Sequence, residues 1–138
     1  MPHHRERGAT MVEFALLLPL LLLVLFGLID MGRMFLTQAM VTNAAREGAR
    51  MAAFRLDADV PTRANASMPG INGVSGGTTT VQILDACPAA PTAAQAARVR
   101  VTVNGFSWVA LGAISGLFPG GAIAAPTPTA TSSMRCFG

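Results

Sequence analysis

RGATMVEFALLLPLLLLVLFGLIDMGRMFLTQAMVTNAAREGAR, residues 7–50, decides the architecture of this chain. Within it, Ala9 to Ile29 is a run of 21 residues with one charged side chain, Glu13. A helix of that length spans roughly 30 Å, enough to cross the hydrocarbon core of a bilayer. The run is too long for the apolar region of a secretory signal, and no A-x-A cleavage site follows it. It therefore reads as a retained membrane anchor. Arg5 and Arg7 precede it and favour a cytoplasmic N-terminus. Pro19 lies inside the run. In a soluble helix it costs about 3 kcal/mol, whereas a membrane helix accommodates it with a kink.

Working outward toward the C-terminus, Asp30 ends the apolar run, but no signal ends the helix. Between Met31 and Phe54 there is no proline, and the only glycines are Gly32 and Gly48. Met31, Met34, Phe35, Val41, Ala45, Ala49 and Ala52 fall near one face at helical spacing. Arg33, Asn43, Glu47 and Arg50 take the other side, and Gln38 interrupts the stripe. The expected stem covers residues 30–56. A continuous helix from Ala9 to Phe54 would be about 70 Å long. Ala44, Ala45, Gly48 and Ala49 are small enough to let a sheet or second helix approach closely. Asp30–Arg33 and Glu47–Arg50 are spaced for ion pairs worth a few tenths of a kcal/mol.

Glu13 is the residue that needs a reason. A carboxylate within an apolar span costs at least about 2.5 kcal/mol unless it is paired or reaches the boundary. Its four-residue depth, about 6 Å, would let it snorkel outward. The local pattern offers another reading. Gly8 stands directly before the run, Glu13 is the fifth residue after it, and Phe14 follows. That pattern resembles the processing site of type IV prepilins. The combination of Gly8, Glu13-Phe14, Pro19, Gly32-Arg33 and Asn43-Ala44-Ala45-Arg46-Glu47-Gly48-Ala49-Arg50 resembles the TadE-like pseudopilins of tight-adherence (Tad/Flp) pilus systems.

The resemblance implies that residues 1–8 are a leader removed by a membrane aspartyl prepilin peptidase between Gly8 and Ala9. It also implies that Glu13 then pairs with the free amine of a neighbouring subunit and sets register. An ammonium partner offsets the desolvation of a buried carboxylate, so the chemistry is reasonable. The implied partners are the peptidase, other pilin or pseudopilin subunits and the inner-membrane pilus assembly platform. The implied location is the bacterial inner membrane, single-pass, with the N-terminus cytoplasmic and the C-terminal domain exported, or the pilus after assembly. The competing reading is an uncleaved signal-anchored envelope protein whose exported domain binds a partner.

Residues 57–138 change character and form the expected small exported domain. Asp59 is placed to cap a short helix starting near Val60-Pro61 and ending before Pro69-Gly70. Gly70 to Gly77, GINGVSGG, reads as a flexible loop. Thr78–Leu84 is β-branched and reads as a strand. In Arg98–Val103 the valines 99, 101 and 103 alternate with polar residues, the pattern of a half-buried strand. Asn104-Gly105 is a turn signal, although Phe106–Val109 could extend the strand past a bulge. Leu111–Phe118 reads as a short helical turn broken by Pro119-Gly120-Gly121. Ala122–Cys136 reads as a last strand, and Pro126 and Pro128 assign it to an edge. Val99–Val103, Phe106 and Met134-Arg135 loosely resemble the closing strands of TadE-like proteins, although Cys136-Phe137-Gly138 stands where an acidic residue is usual. The expected fold is thus α+β and pilin-like: a long N-terminal helix, half transmembrane and half amphipathic, carrying a small antiparallel sheet.

Composition narrows the chemistry. The net charge of +3 comes from ten arginines and no lysine. They are scattered and have no aromatic interleaving, which argues against nucleic-acid binding. His3 and His4 fall in the leader that the resemblance implies, so no metal-ligand cluster is expected. No serine or threonine has an activating neighbour, and Asp57 and Asp59 read as a solvated turn. Neither an enzyme nor a cofactor-binding protein is expected. Cys87 and Cys136 lie beyond the apolar run and, if exported, can form an intrachain disulfide, remain free or bridge two chains.

Overall fold

The computed structural model describes residues 6–115 and 123–137. Its architecture is α+β, with a long N-terminal helix and a three-stranded antiparallel sheet. Residues 1–5, the part of the expected helical turn beyond Ser115 with its Pro119-Gly120-Gly121 break, and Ala122 lie outside the described residues. Helix α1 runs from Glu6 to Ala53 without interruption at Pro19. A 3-10 turn (Asp57–Asp59), α2 (Val60–Ala66) and α3 (Ile71–Ser75) follow. Then come β1 (Thr78–Asp85), β2 (Ala96–Asn104), α4 (Ala110–Ser115) and β3 (Thr129–Arg135). The chain forms two compact units. One contains α1 up to Gly32 and the segment beginning at Trp108. The other contains Arg33–Ser107 and the chain from Ala124.

In the second unit the sheet order is β1-β2-β3. Its period-2 pattern decides which side faces inward. Ala97, Val99, Val101 and Val103 of β2 are fully buried, and Val81, Ile83 and Ala130 add partial cover from the two edges. Their core partners on α1 are Val41, Ala44, Ala45, Ala49, Ala52 and Ala53. Gly48 marks the closest approach, since a Cβ there would lie 3.0 Å from Val99 Cγ1. The other face of the sheet is polar. Arg100 donates to Thr131, Asn104 donates to Thr80, and the hydroxyls of Thr102 and Thr129 are 3.1 Å apart. One apolar and one wet face is the ordinary economy of an antiparallel sheet.

Helix α1 stops through backbone geometry. Arg55 adopts φ +63°, the Leu56 amide donates to Met51 and the Arg55 amide donates to Ala52. This is a Schellman closure with arginine in the position that usually holds glycine. The Arg55 guanidinium donates to the Ala89 carbonyl at 2.6 Å. The C-terminal end of the chain meets the same place: Phe137 donates to Ala53, and its ring stacks on Phe54 at 4.8 Å.

Several expectations need correction. The buried stripe of the stem starts at Thr37 and Val41, whereas Met31 and Phe35 are exposed, because the sheet covers only the small-residue end. GINGVSGG is not a loop throughout. Gly70 and Gly76, both at φ +73°, bracket helix α3, and buried Ile71 anchors it to the core. Asp59 occupies the N-cap position of α2 but makes no side-chain capping bond. The preceding 3-10 turn puts its own backbone in the helical region (φ −90°, ψ −12°), whereas capping residues normally have extended backbone. The last strand begins only at Thr129, after both prolines, and does pair as an edge. β2 ends at Asn104, where the sequence carries its turn signal and Gly105 adopts φ +76°; the alternative extension through Phe106–Val109 is not taken. The irregular pairing lies in β1 instead, between Ile83 and Asp85.

Candidate functional site

The first part of α1 carries the residues singled out in the sequence. Large apolar side chains along it are exposed, among them Leu16 (75 %) and Leu28 (67 %). Burying each such side chain is worth about 1.5–3 kcal/mol, so together they amount to a strong drive to leave water. The helix is long and apolar enough to cross a membrane. Leu17, Leu20, Leu21, Val24, Leu25 and Leu28 line an open groove along it. Their spacing of three and four residues puts them on one helical stripe.

Gly8 and Ala9 lie within the helical backbone of α1. Glu13 and Phe14 are exposed one turn further on. Glu13 presents a carboxylate on an exposed surface dominated by leucine, valine, methionine and phenylalanine.

The end of the apolar run holds a residue whose role could not be read from the sequence. Asp30 is fully buried. Its Oδ1 accepts from the Val109 amide at 3.1 Å, and its Oδ2 accepts from Ala110 at 3.0 Å and Leu111 at 2.8 Å. A carboxylate satisfying the free amides at the start of α4 is a charge-assisted cap. The signal in the sequence was a lone acid directly after an apolar run; nothing pointed to a partner some 80 residues away.

In the second unit, Arg33 donates to the Ser107 carbonyl at 3.1 Å and lies over the Phe106 ring at 5.7 Å. The expected i,i+3 pair Glu47–Arg50 is present at 3.9 Å, and Glu47 also faces Arg63 at 3.7 Å. These are partly exposed pairs that add little to stability. Cys87 and Cys136 are joined by a disulfide with a Cα–Cα distance of 5.7 Å. It links the loop after β1 to the end of β3. Asp57 and Asp59 sit in the 3-10 turn before α2. Among the described residues no group of three His, Cys, Asp or Glu side chains is arranged to hold a metal.

The arrangement offers apolar surface and a few directed polar ties, suited to membrane contact and to packing against other helices. Residues 8–50 match the family model described as TadE-like protein. The match begins at the glycine before the apolar run and ends within the buried stripe of α1. No curated protein and no solved structure matches the chain.

Proposed function

We propose, from the TadE-like match over residues 8–50, that this chain is a minor pilin or pseudopilin, a structural subunit in the assembly or initiation of a Tad pilus. The observation that carries the reading is that match falling on a helix whose apolar half is exposed and whose other half packs on a small sheet. In this reading a prepilin peptidase cuts between Gly8 and Ala9. The membrane helix holds the subunit in the inner membrane, N-terminus in the cytoplasm, until it joins other pilin subunits at the assembly platform. Glu13 then meets the new amine of a neighbouring subunit. Within a bundle of such helices the leucine stripe exchanges lipid for protein at little cost, since both are apolar, and the buried ion pair sets the stagger.

N-terminal sequencing of the membrane-extracted protein tests the cleavage. A chain starting at Ala9 is the expected result, and an intact leader overturns it. Replacing Glu13 by Ala should leave membrane insertion normal and abolish piliation; unchanged piliation would remove Glu13 from any role in register.

A second reading, an uncleaved signal-anchored envelope protein whose exported domain binds a partner, is favoured by one feature. Glu6 to Ala9 already belongs to α1, and a peptide bond inside a helix must unwind before a protease can cut it. The same sequencing experiment separates the two.

A further inference from the structure

The segment that follows Phe106-Ser107 belongs to the same compact unit as the apolar half of α1. From Trp108 to Ile123 the sequence WVALGAISGLFPGGAI contains no charged residue. In its described part Val109 is 63 % exposed and Ile123 is 49 % exposed. An uncharged stretch with exposed apolar side chains suits an apolar surface better than water.

The position of this segment along α1 is set by three hydrogen bonds. Asp30 comes immediately after Ile29, the last residue of the apolar run, so it lies about 1.5 Å further along the helix axis. The Val109, Ala110 and Leu111 amides are held 2.8–3.1 Å from its carboxylate. Where α1 crosses a bilayer, these bonds place the start of α4 at the level where hydrocarbon gives way to headgroups. Tryptophan, with an apolar ring and one polar N–H, is the side chain most at home at that level. The three amides also solve a problem for Asp30, since a carboxylate buried at this depth is costly unless its oxygens are satisfied.

We propose that Trp108–Leu111 rests on the lipid surface at the outer end of the membrane helix, with Asp30 as the positioning residue that fixes its depth. The chain then touches the bilayer twice: through a spanning helix and through an interfacial foot. The foot fixes the rotation of the helix about its own axis, because only one face of α1 carries Asp30. The occupant is lipid rather than a second subunit, because the bonds to Asp30 place the segment where the span itself ends. This proposal rests on the reading of α1 as a membrane span.

Trp108 is the only tryptophan and the chain has no tyrosine, so its fluorescence reports this site alone. The full chain is reconstituted into phosphatidylethanolamine–phosphatidylglycerol vesicles carrying bromine either near the glycerol backbone or at mid-bilayer. Shallow bromines should quench Trp108 severalfold more than deep ones, and aqueous acrylamide should quench it weakly. A Trp108→Phe protein with Leu20→Trp serves as the reporter of the span and should show the opposite depth preference. Adding Asp30→Ala should raise acrylamide quenching of Trp108 severalfold while leaving the Leu20→Trp signal deep.

Strong acrylamide quenching of Trp108 beside a deep Leu20→Trp signal overturns the foot and leaves the span intact. A Trp108 protected from both bromine and acrylamide means that protein covers it, which also overturns the proposal. If Leu20→Trp is itself quenched from water, the span fails and the foot fails with it. Lipid quenching of Trp108 that is unchanged by Asp30→Ala removes Asp30 from the positioning role.

Discussion

The stretch of α1 from Thr10 to Ile29 and the stretch from Thr37 to Ala53 are both helical and both short of charge on one side, yet they meet their surroundings differently. The first displays large side chains all round, the leucine stripe among them. The second buries alanine, glycine and valine under a sheet, with Ala44, Ala45 and Ala52 fully covered. Large side chains serve a helix whose neighbour is fluid, because lipid fits around any outline. Small ones serve a helix whose neighbour is a rigid sheet, because backbone separation then governs how many atoms touch. Hydropathy alone would rank the first stretch as the better core helix. Side-chain volume identifies the second as the one that packs within the protein.

The sharpest way to break this contrast is to weaken the sheet side alone. Replacing Cys87 and Cys136 by Ala opens a bridge that spans 49 positions and should cost about 4 kcal/mol in the chain-entropy description. Urea unfolding followed by circular dichroism of the detergent-solubilised protein should lose the sheet signal much earlier, while the micelle-embedded helix persists. Simultaneous loss of both signals would mean that the two stretches are energetically one.

The next largest effect probes the lipid side. Leu21→Arg puts a cation near the middle of the apolar run and should cost about 3 kcal/mol of insertion, read as the fraction retained after carbonate extraction. Leu36→Arg replaces a leucine that is also half exposed, at 47 %, but lies past Asp30; it should change retention by less than about 0.5 kcal/mol. Equal losses would show that the span does not end near Ile29.

The smallest effect compares two glycines of one helix. Gly48→Ala brings a methyl to 3.0 Å from Val99 Cγ1; about 2 kcal/mol of overpacking, less the roughly 0.5–1 kcal/mol gained by replacing a helical glycine, should leave the sheet-bearing unit destabilised by about 1 kcal/mol. Gly27→Ala meets nothing within 4 Å and should be neutral or favour the helix by about 0.5 kcal/mol. Thermal melts of both variants check the pair, and a neutral Gly48→Ala would mean that the sheet can shift away from α1.

Much of this architecture could be read from the residues. The apolar run and the unpunctuated stem set the long helix, and the alternation of Val99, Val101 and Val103 identified a half-buried strand with the correct inward face, though not its central place in the sheet. What escaped depends on partners far along the chain. GINGVSGG looks like pure loop because glycine dominates it, yet Ile71 finds a buried site and gives the short helix a reason to form. Met31 and Phe35 continue the periodic stripe, but periodicity does not reveal where the covering sheet stops. Gly8 and Glu13 stood out through their spacing, a local signal. Asp30 did not, because its three acceptor contacts are made with residues 79 to 81 positions away.

That separation has a consequence for the order of events during synthesis. Contacts between sequence neighbours close early, and those across long intervals close late. Until β1 and β2 have been delivered and the chain has returned to α1, Asp30 has none of these amides beside it. During that interval its oxygens depend on water, a headgroup or the neighbouring Arg33, three residues on, and the contacts that tie the outer end of the membrane helix to Val109–Leu111 form only when that segment arrives.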